Sequence, residues 1–252
     1  MIITKEVPCS WKDLQDKVCK YLNQAGYHAV SPKTIKTVRG KVEVDVFVTS
    51  EDELLKQFVC ECKYWDTPVP KEKIHAFRSV VQDSGSMLGV FISKNGFQKG
   101  AIEAANCSNV ILKDWNGFLD LIEHQWLKHR SEQVLKLSLP LSVYTDPLDV
   151  PAEIFRDEVT KTKYRELELK YVPSYMMIRS LEMGMQNPDE PVILDNVKYD
   201  DYNNLFDYIE RMLILAVEEY ESLFSVHKVE QWKLDCADRT RFVPRFDEYL
   251  TR

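Results

Sequence analysis

Short apolar runs alternate with stretches of helix-spaced apolar residues through the first half of the chain. Two of these runs, residues 42–48 and 57–63, are rich in β-branched and aromatic side chains and are bounded by turn-forming residues, which predicts two strands. Only a short segment that includes residues 50–52 separates them, so an antiparallel hairpin is the natural pairing. Two further short strands are predicted at residues 87–93 and 109–112.

Helical periodicity separates these strands. The predicted helices run from Ser10 to about Gly26, from Pro70 to about Gln82, from Gly96 to Asn106 and from Trp115 to His129. Ser10 is a suitable N-cap, Gly26 is a suitable C-terminal stop, and Pro70 fits the first turn of its helix. Strands that alternate with helices at this spacing form parallel pairs through right-handed crossovers. Together with the hairpin, this order predicts an α/β domain with a mixed central sheet flanked by helices.

The pattern changes in the second half of the chain. From residue 131 to residue 151 the periodicity fails, three prolines occur and Leu alternates with Ser, which predicts a linker or an extended arm. Residues 152–170 are charged and predicted to be helical, and Tyr202 to Phe224 form the clearest helix pattern in the chain. The predicted organisation is therefore an α/β domain at residues 1–130, a linker at 131–151 and an acidic, mainly helical module at 152–252.

Charge is divided along the chain in the same way. Residues 1–130 carry 18 Lys and Arg against 16 Asp and Glu, whereas residues 131–252 carry 15 against 24. These charges of +2 and −9 give the net charge of −7. An acidic surface repels a phosphate backbone, so we expect the second half to face a protein partner, a copy of itself or a small-molecule trigger.

Cysteine usage and hydropathy indicate the expected cellular compartment. The six cysteines are scattered, and the Cys60-Glu61-Cys62 spacing differs from the CxxC spacing of zinc sites, so buried reduced thiols are expected. No run approaches the roughly 20 apolar residues that a membrane-spanning helix needs, and the N-terminal residues contain no signal-peptide core. The expectation is a cytoplasmic protein without a membrane partner.

Charged residues interrupt the two strands of the predicted hairpin. Side chains alternate across a strand, so Glu61 and Lys63 share one face, and three charged groups converge if Asp45 faces the same side. Two carboxylates suit Mg²⁺, which prefers a few carboxylate ligands plus waters and phosphate oxygens. A neighbouring lysine can orient or deprotonate an attacking water. This is the chemistry of phosphodiester hydrolysis, and the alternative is a solvated hairpin with ordinary surface charges.

The residues that carry this chemistry also match a known pattern. The order of Asp45 followed by Glu61-Cys62-Lys63 is similar to the D…ExK motif of the PD-(D/E)xK nuclease superfamily. The flanking sequence is more specific for one family than this motif alone. Its segments are residues 61–65, Val69-Pro70-Lys71, His75-Ala76-Phe77-Arg78 and residues 92–101. In this order the segments resemble the Mrr-type restriction endonuclease catalytic domain, over roughly residues 10–128. The chain departs from the family's pattern at Val44, which stands where a proline often precedes the first acid.

The resemblance implies a restriction-endonuclease-like core that uses Mg²⁺, for which Mn²⁺ can substitute. It assigns Asp45, Glu61 and the main-chain carbonyl of Cys62 as metal ligands, and Lys63 as the residue that positions the water. Superfamily members often carry an acid on the first helix, and the matching position here is Gln15, which completes the predicted catalytic set. An amide cannot neutralise a second cation, so this departure argues against two-metal catalysis. A solvated helix residue remains the alternative for Gln15.

Phosphate contacts are predicted on two helices. Gln98 and Lys99 open the helix after Gly96, where free N–H groups and the helix dipole favour phosphate. Lys71, Lys73, His75 and Arg78 lie along the preceding helix, with His75 and Arg78 three residues apart on one surface. For each of these positions, an ordinary solvated side chain is the alternative.

The function that these features predict is metal-dependent hydrolysis of phosphodiester bonds, with DNA as the expected substrate. A bacterial restriction or anti-phage effector fits this layout by analogy with the fold. Two alternatives stay open: an RNA nuclease, and a nucleic-acid-binding or assembly protein that retains the nuclease fold without turnover. A homo-oligomer is expected, with the acidic module of residues 152–252 as the site of assembly or sensing.

Overall fold

The computed structural model describes residues 1–106, 108–148, 150, 152–182 and 192–225. The chain divides into two compact units. The first is built from residues 5–130, and the second from residues 1–4 together with the described residues after 130. We describe each unit by itself.

The first unit contains a mixed five-stranded sheet with helices around it. Its strands are β1 (His28–Val30), β2 (Lys33–Thr37), β3 (Gly40–Val44), β4 (Val46–Thr49), β5 (Gln57–Lys63), β6 (Leu88–Ser93) and β7 (Val110–Lys113). Its helices are α1 (Trp11–Gln24), α2 (Lys71–Asp83), α3 (Lys99–Ala105) and α4 (Trp115–Ser138), of which α4 continues beyond residue 130. The sheet order is β1-β4-β5-β6-β7. The pairs β1–β4 and β4–β5 are antiparallel, and β5–β6 and β6–β7 are parallel, so the predicted α/β fold with a mixed sheet is confirmed.

Helix α1 shows how the local sequence fixes an element. The Ser10 side chain accepts a hydrogen bond from the main-chain N–H of Asp13, which caps the first turn. The helix ends before Gly26, which has φ of +85°. A Cβ at Gly26 would lie 2.7 Å from Cδ2 of His129, so both the backbone angle and the close approach of α4 require glycine there.

The first predicted strand is wrong in one respect, because it breaks at Asp45. Residues 40–44 form β3, which pairs with β2 in a separate two-stranded sheet, and only β4 pairs with β5. The Asp45 side chain explains the break: its Oδ2 accepts the main-chain N–H of Cys62 at 2.7 Å. At this point β5 is bonded by the Asp45 side chain and not by a main-chain carbonyl. The backbone before Asp45 therefore leaves the sheet, and β3 pairs with β2 in a second hairpin.

An apolar core supports the functional strands from one side. Its buried residues come from β3, β5, α2, β6 and their neighbours, and they include Val44, Val59, Ile74, Phe77, Val81 and Phe91. The Phe77 and Phe91 rings meet edge to face, with centroids 5.4 Å apart. Cys60 and Cys62 are free and fully buried, and burial raises the pKa of both thiols.

The second unit contains the segment that was predicted as a linker, and that prediction is wrong. Helix α4 extends to Ser138, and a short helix α5 (Leu141–Tyr144) follows Pro140. Val134, Leu141 and Val143 are buried in the core of this unit. Pro140 stands at the start of α5, where proline is tolerated, so this proline does not interrupt the folded unit.

The remaining elements of the second unit are mainly helical, as predicted. They are a 3₁₀ turn (Ala152–Phe155), α6 (Glu158–Glu182), the strands β8 (Val192–Leu194) and β9 (Val197–Tyr199), and α7 (Tyr202–Ser225). Its core is rich in aromatic residues, and the Tyr164 hydroxyl donates to the Tyr144 carbonyl at 3.0 Å. The parts of the acidic module at residues 183–191 and 226–252 lie outside the described residues.

Gly89 on β6 allows a direct test of the packing beneath the sheet. A Cβ there would lie 2.5 Å from Cγ2 of Val81 and 2.7 Å from Cε1 of Phe77. We expect Gly89→Ala to lower the free energy of unfolding by about 1–3 kcal/mol, because overpacking forces neighbours out of their rotamers. Urea denaturation followed by circular dichroism measures the change.

Gly100→Ala is the matched control for this substitution. Its added Cβ would meet only Lys71 Cδ at 3.6 Å, an ordinary contact, and alanine is favoured over glycine within a helix. We expect no loss of stability. Equal effects of the two substitutions would contradict the packing of α2 against β6.

Candidate active site

The candidate site lies where β4 begins and β5 ends. Val46 is the register partner of Cys60, so the chain places Asp45 level with Glu61 on the neighbouring strand. Residues that stand opposite each other in an antiparallel pair project to the same face. Glu61 and Lys63 share that face because they are two residues apart on β5. The backbone therefore brings the three charged side chains together.

The side-chain contacts form one connected cluster. Lys63 Nζ lies 2.5 Å from Glu61 Oε1 and 3.8 Å from Asp45 Oδ2. The three side chains are 19%, 24% and 16% exposed for Lys63, Glu61 and Asp45, so each is largely withdrawn from water but still reachable by a ligand.

Gln15 joins the cluster from helix α1. Its Nε2 donates to Asp45 Oδ1 at 2.8 Å, while the other carboxylate oxygen of Asp45 accepts the Cys62 N–H at 2.7 Å. The Asp45 carboxylate is thus held by donors on two sides. Gln15 itself is 1% exposed, and its Oε1 has no hydrogen-bond partner within the described residues. A buried oxygen without a partner is costly, and this atom retains a free acceptor position on the same amide group that bonds Asp45.

Burial and charge act in opposite directions on the ionisable groups. Burial raises the pKa of Glu61, and the negative charge of Asp45 adds to that rise, although Lys63 opposes it. Burial alone would lower the pKa of Lys63, but the charge and hydrogen bond of Glu61, together with Asp45, outweigh burial and raise it. Lys63 is therefore held in its protonated form and is suited to orienting a water or neutralising charge rather than to accepting a proton.

The donor set of the cluster consists of hard oxygen atoms. Within the described residues, no group of three or more His, Cys, Asp and Glu side chains is placed to hold a metal. The available ligands are instead two carboxylates, the Gln15 amide oxygen and main-chain carbonyls. Few carboxylates, neutral oxygens and room for water are what Mg²⁺ accepts, so these residues fit a magnesium-type ion.

Lys73, one of the predicted phosphate-contact residues of α2, also acts on the charged cluster. Its positive charge lowers the pKa of Glu61, although the net shift of that group remains upward. Its Nζ lies 5.8 Å from the centre of the Trp65 ring, and the ring is 36% exposed.

The predicted phosphate-contact residues occupy two places. Gln98 and Lys99 are exposed at the start of α3, and Lys99 is 92% exposed with only a distant pairing to Glu103 at 3.9 Å. Lys71 lies beside this helix start, since its Cδ would be 3.6 Å from a Cβ on Gly100. These three side chains therefore border one surface.

His75 and Arg78 are placed differently. His75 is exposed on α2. Arg78 Nη1 donates to the Ala104 carbonyl at 3.1 Å, so this guanidinium fastens α2 to the last turn of α3. Neither residue has a described contact with Asp45, Glu61 or Lys63.

A match to a protein family bears on the identity of the first unit. Residues 7–122 match a family described as restriction endonuclease, the Mrr-type catalytic domain, so the predicted resemblance and the restriction-endonuclease-like fold are confirmed. No curated protein matches the chain. A crystal structure of a protein of unknown function aligns over 83% of this chain and 99% of its own, with 11% identity and a TM-score of 0.39. Among the described residues, no helix is long and apolar enough to cross a membrane.

The raised pKa of Glu61 predicts how the stability of the folded protein depends on pH. The ionised carboxylate is disfavoured in the folded state, so its contribution to stability falls as pH rises through the folded pKa, which lies above 4.5. We expect Glu61→Gln to raise the unfolding temperature at pH 7.5 in EDTA. The gain should shrink as the pH is lowered from 7.5, because the native carboxyl then takes up its proton.

Scanning fluorimetry over this pH range measures the effect. Glu43→Gln is the matched control, because Glu43 is exposed on β3 and the same chemical change there removes no buried charge. A lower unfolding temperature for Glu61→Gln at pH 7.5 would show that the bond to Lys63 outweighs burial.

Proposed function

We propose that this chain, whose residues 7–122 match the restriction endonuclease family, is a divalent-metal-dependent endonuclease that hydrolyses phosphodiester bonds in DNA. One observation carries the proposal: Asp45, Glu61 and Lys63 converge where β4 begins and β5 ends, with Gln15 bonded to Asp45. Two carboxylates beside a protonated lysine have no structural need to be gathered in one partly buried place. Such a cluster is costly to the folded protein and is typical of a functional site.

The residues that would hold the metal are Asp45, Glu61, the amide oxygen of Gln15 and the main-chain carbonyl of Cys62. Mg²⁺ bound there would polarise a phosphate oxygen and lower the pKa of a bound water, and Mn²⁺ would serve in its place. The unpartnered Oε1 of Gln15 supports this ligand set, because a cation would satisfy it.

The protein's own groups prepare the reaction. The Gln15 amide and the Cys62 N–H fix the Asp45 carboxylate, so its orientation does not depend on the substrate. Lys63, kept protonated by its two acidic neighbours, donates to the attacking water and offsets negative charge on the phosphate in the transition state. Lys73 lies near enough to Glu61 to add a second positive charge at the rim.

Substrate positioning is assigned to the exposed residues at the start of α3. Gln98 and Lys99, with Lys71 beside them, present polar and cationic groups to a phosphate backbone. His75 is an additional contact on α2, whereas Arg78 contributes chiefly by holding α2 and α3 together.

The second unit is proposed to govern assembly and triggering. The −9 charge of residues 131–252 disfavours nucleic acid, so a copy of the chain, a protein partner or a small molecule is the expected ligand. Cutting both strands of a duplex is served by two active sites, and two-fold pairing is the commonest assembly. An effector of restriction or anti-phage defence in the cytoplasm must not cut until it is triggered. Control of cleavage by the second unit fits that requirement. Light scattering on the full chain measures the assembly.

Incubation of the purified chain with nucleic acids tests the activity. Supercoiled DNA, linear DNA, single-stranded DNA and RNA are each combined with Mg²⁺, Mn²⁺ or EDTA, and the products are separated on gels. The proposal expects metal-dependent nicking or linearisation of plasmid. Cleavage of RNA alone would replace DNA as the substrate, and binding without cleavage would favour a non-catalytic assembly protein.

We expect Asp45→Ala, Glu61→Ala and Lys63→Ala each to reduce the cleavage rate by roughly a hundredfold or more, since each removes a metal ligand or a charge that acts in the transition state. Asp45→Asn is a necessary companion, because it retains an oxygen that can accept the Cys62 N–H. The measurement is single-turnover plasmid nicking, with circular dichroism to establish that each variant is folded.

Glu51→Ala and Lys56→Ala are matched controls. They are exposed residues of the same types in the loop that precedes β5, at the end away from Lys63. Both should cleave at the wild-type rate. Wild-type rates in all the folded site variants would remove the catalytic assignment.

A smaller effect is expected from Gln98→Ala and Lys99→Ala. Both side chains lie outside the metal cluster, and loss of one polar contact typically costs about 1–3 kcal/mol. We expect weaker binding or slower cutting, with the loss largest at low salt for Lys99. Gel-shift titration at several salt concentrations measures this, with Lys128→Ala on α4 as the control. No change in affinity or rate at any salt concentration would refute the phosphate-site assignment.

A further inference from the structure

The hairpin formed by β2 and β3 concentrates positive charge on an otherwise acidic chain. Residues 33–42 contain Lys33, Lys36, Arg39 and Lys41 and no acidic residue, whereas the whole chain has a net charge of −7. All four cationic residues are exposed. The hairpin leads directly into Asp45, so it lies next to the candidate active site along the chain.

The register of the hairpin places two of these cations opposite each other. Lys36 is the cross-strand partner of Lys41, and Thr34 is the partner of Glu43 on the same face. The opposite face carries Ile35 and Val42, which pair with each other and pack on the core. Lys36 and Lys41 are thus held on the solvent side by the burial of their neighbours.

Like charges directly opposite each other destabilise a sheet. Within the described residues, neither Lys36 nor Lys41 forms an ion pair or a hydrogen bond through its side chain. Opposite residues in an antiparallel pair have Cβ atoms about 4.5–5.5 Å apart, so the two ammonium groups can approach one anion together. The arrangement is unfavourable in the free protein and becomes favourable when an anion lies between the lysines.

The tip of the hairpin is fixed to the core. The Val38 N–H donates to the Asp83 carbonyl at 3.1 Å, and Arg39 Nε lies 3.1 Å from Asp83 Oδ2. Asp83 is the last residue of α2, so the tip is bonded to the end of a core helix. The lysine pair is therefore presented by a rigid ribbon, which reduces the entropy lost on binding. Arg39 is already paired and is not counted among the free cations.

We propose that the β2–β3 hairpin is a binding element for the sugar-phosphate backbone of duplex nucleic acid, with Lys36 and Lys41 as the paired phosphate contacts. A two-stranded ribbon fits the major groove of a duplex or lies along its edge. The contact is electrostatic and independent of base sequence. This inference rests on the proposed nuclease function for its biological purpose, but its binding readout does not require cleavage.

Fluorescence anisotropy with a labelled DNA duplex of about two to three helical turns tests the element. The full chain is titrated in EDTA, so that no cutting occurs, at several salt concentrations. The double variant Lys36→Ala/Lys41→Ala should bind roughly 10- to 60-fold more weakly at 0.1 M salt, because log K falls with log salt at a slope of about −0.9 for each phosphate contact. The slope itself should become shallower by about 1.8.

Lys163→Ala/Lys198→Ala is the matched control, since both lysines are exposed in the second unit and the change in net charge is the same. It should leave affinity and slope unchanged. The hairpin variant should also keep or raise the unfolding temperature, because its like-charge pair is relieved. Unchanged affinity and slope in the hairpin variant, or an equal loss in the control, would overturn the proposal.

The two proposals fail in distinguishable ways. A wild-type chain that cuts DNA while the hairpin variant binds normally removes the hairpin element and leaves the nuclease intact. A chain that binds duplex through the hairpin but never cuts retains the binding element and removes the catalytic function. A wild-type chain with no affinity for duplex at any salt concentration overturns the hairpin proposal.

Discussion

The Asp45 carboxylate is the group on which the rest of the candidate site depends. One of its oxygens accepts the main-chain N–H of Cys62 from β5, and the other accepts the Gln15 amide from α1. These two bonds join three segments that are distant in sequence. They also end the strand pairing at residue 45, so that β3 departs into its own hairpin. The Asp45 side chain thereby links α1 to β5 and marks the point where the β2–β3 hairpin leaves the sheet.

The cluster that results is electrostatically costly, and this cost is informative. Glu61 has its pKa raised by burial and by Asp45, while Lys63 is held protonated by both acids. The buried Gln15 Oε1 adds an unsatisfied acceptor. Each of these features is unfavourable in the free protein and would be relieved by a cation among the oxygens. These features distinguish the cluster from a set of ordinary surface charges.

The same reasoning applies to the hairpin beside it. Lys36 and Lys41 face each other without a described counter-charge, and the tip is bonded to Asp83 at the end of α2. In both places the folded chain gathers charges that a bound partner of opposite charge would balance, and this is the common basis of the two proposals. The acidic second half of the chain does not share this chemistry, and its aromatic core and helices fit a role in assembly or control.

The sequence by itself determined the strands β4 to β7, the long helices and the shared face of Glu61 and Lys63, because alternation along a strand needs no distant information. The register of β4 on β5 then brought Asp45 to the same face. The family resemblance assigned Gln15 to the site, and the fold then placed its amide on Asp45. Tertiary structure decided what depends on contacts between distant segments: the break at Asp45, the helical continuation to Ser138, and the role of Arg78 between two helices. It also decided the protonation of Lys63, since burial and charge oppose each other and only the actual distances determine which effect is larger.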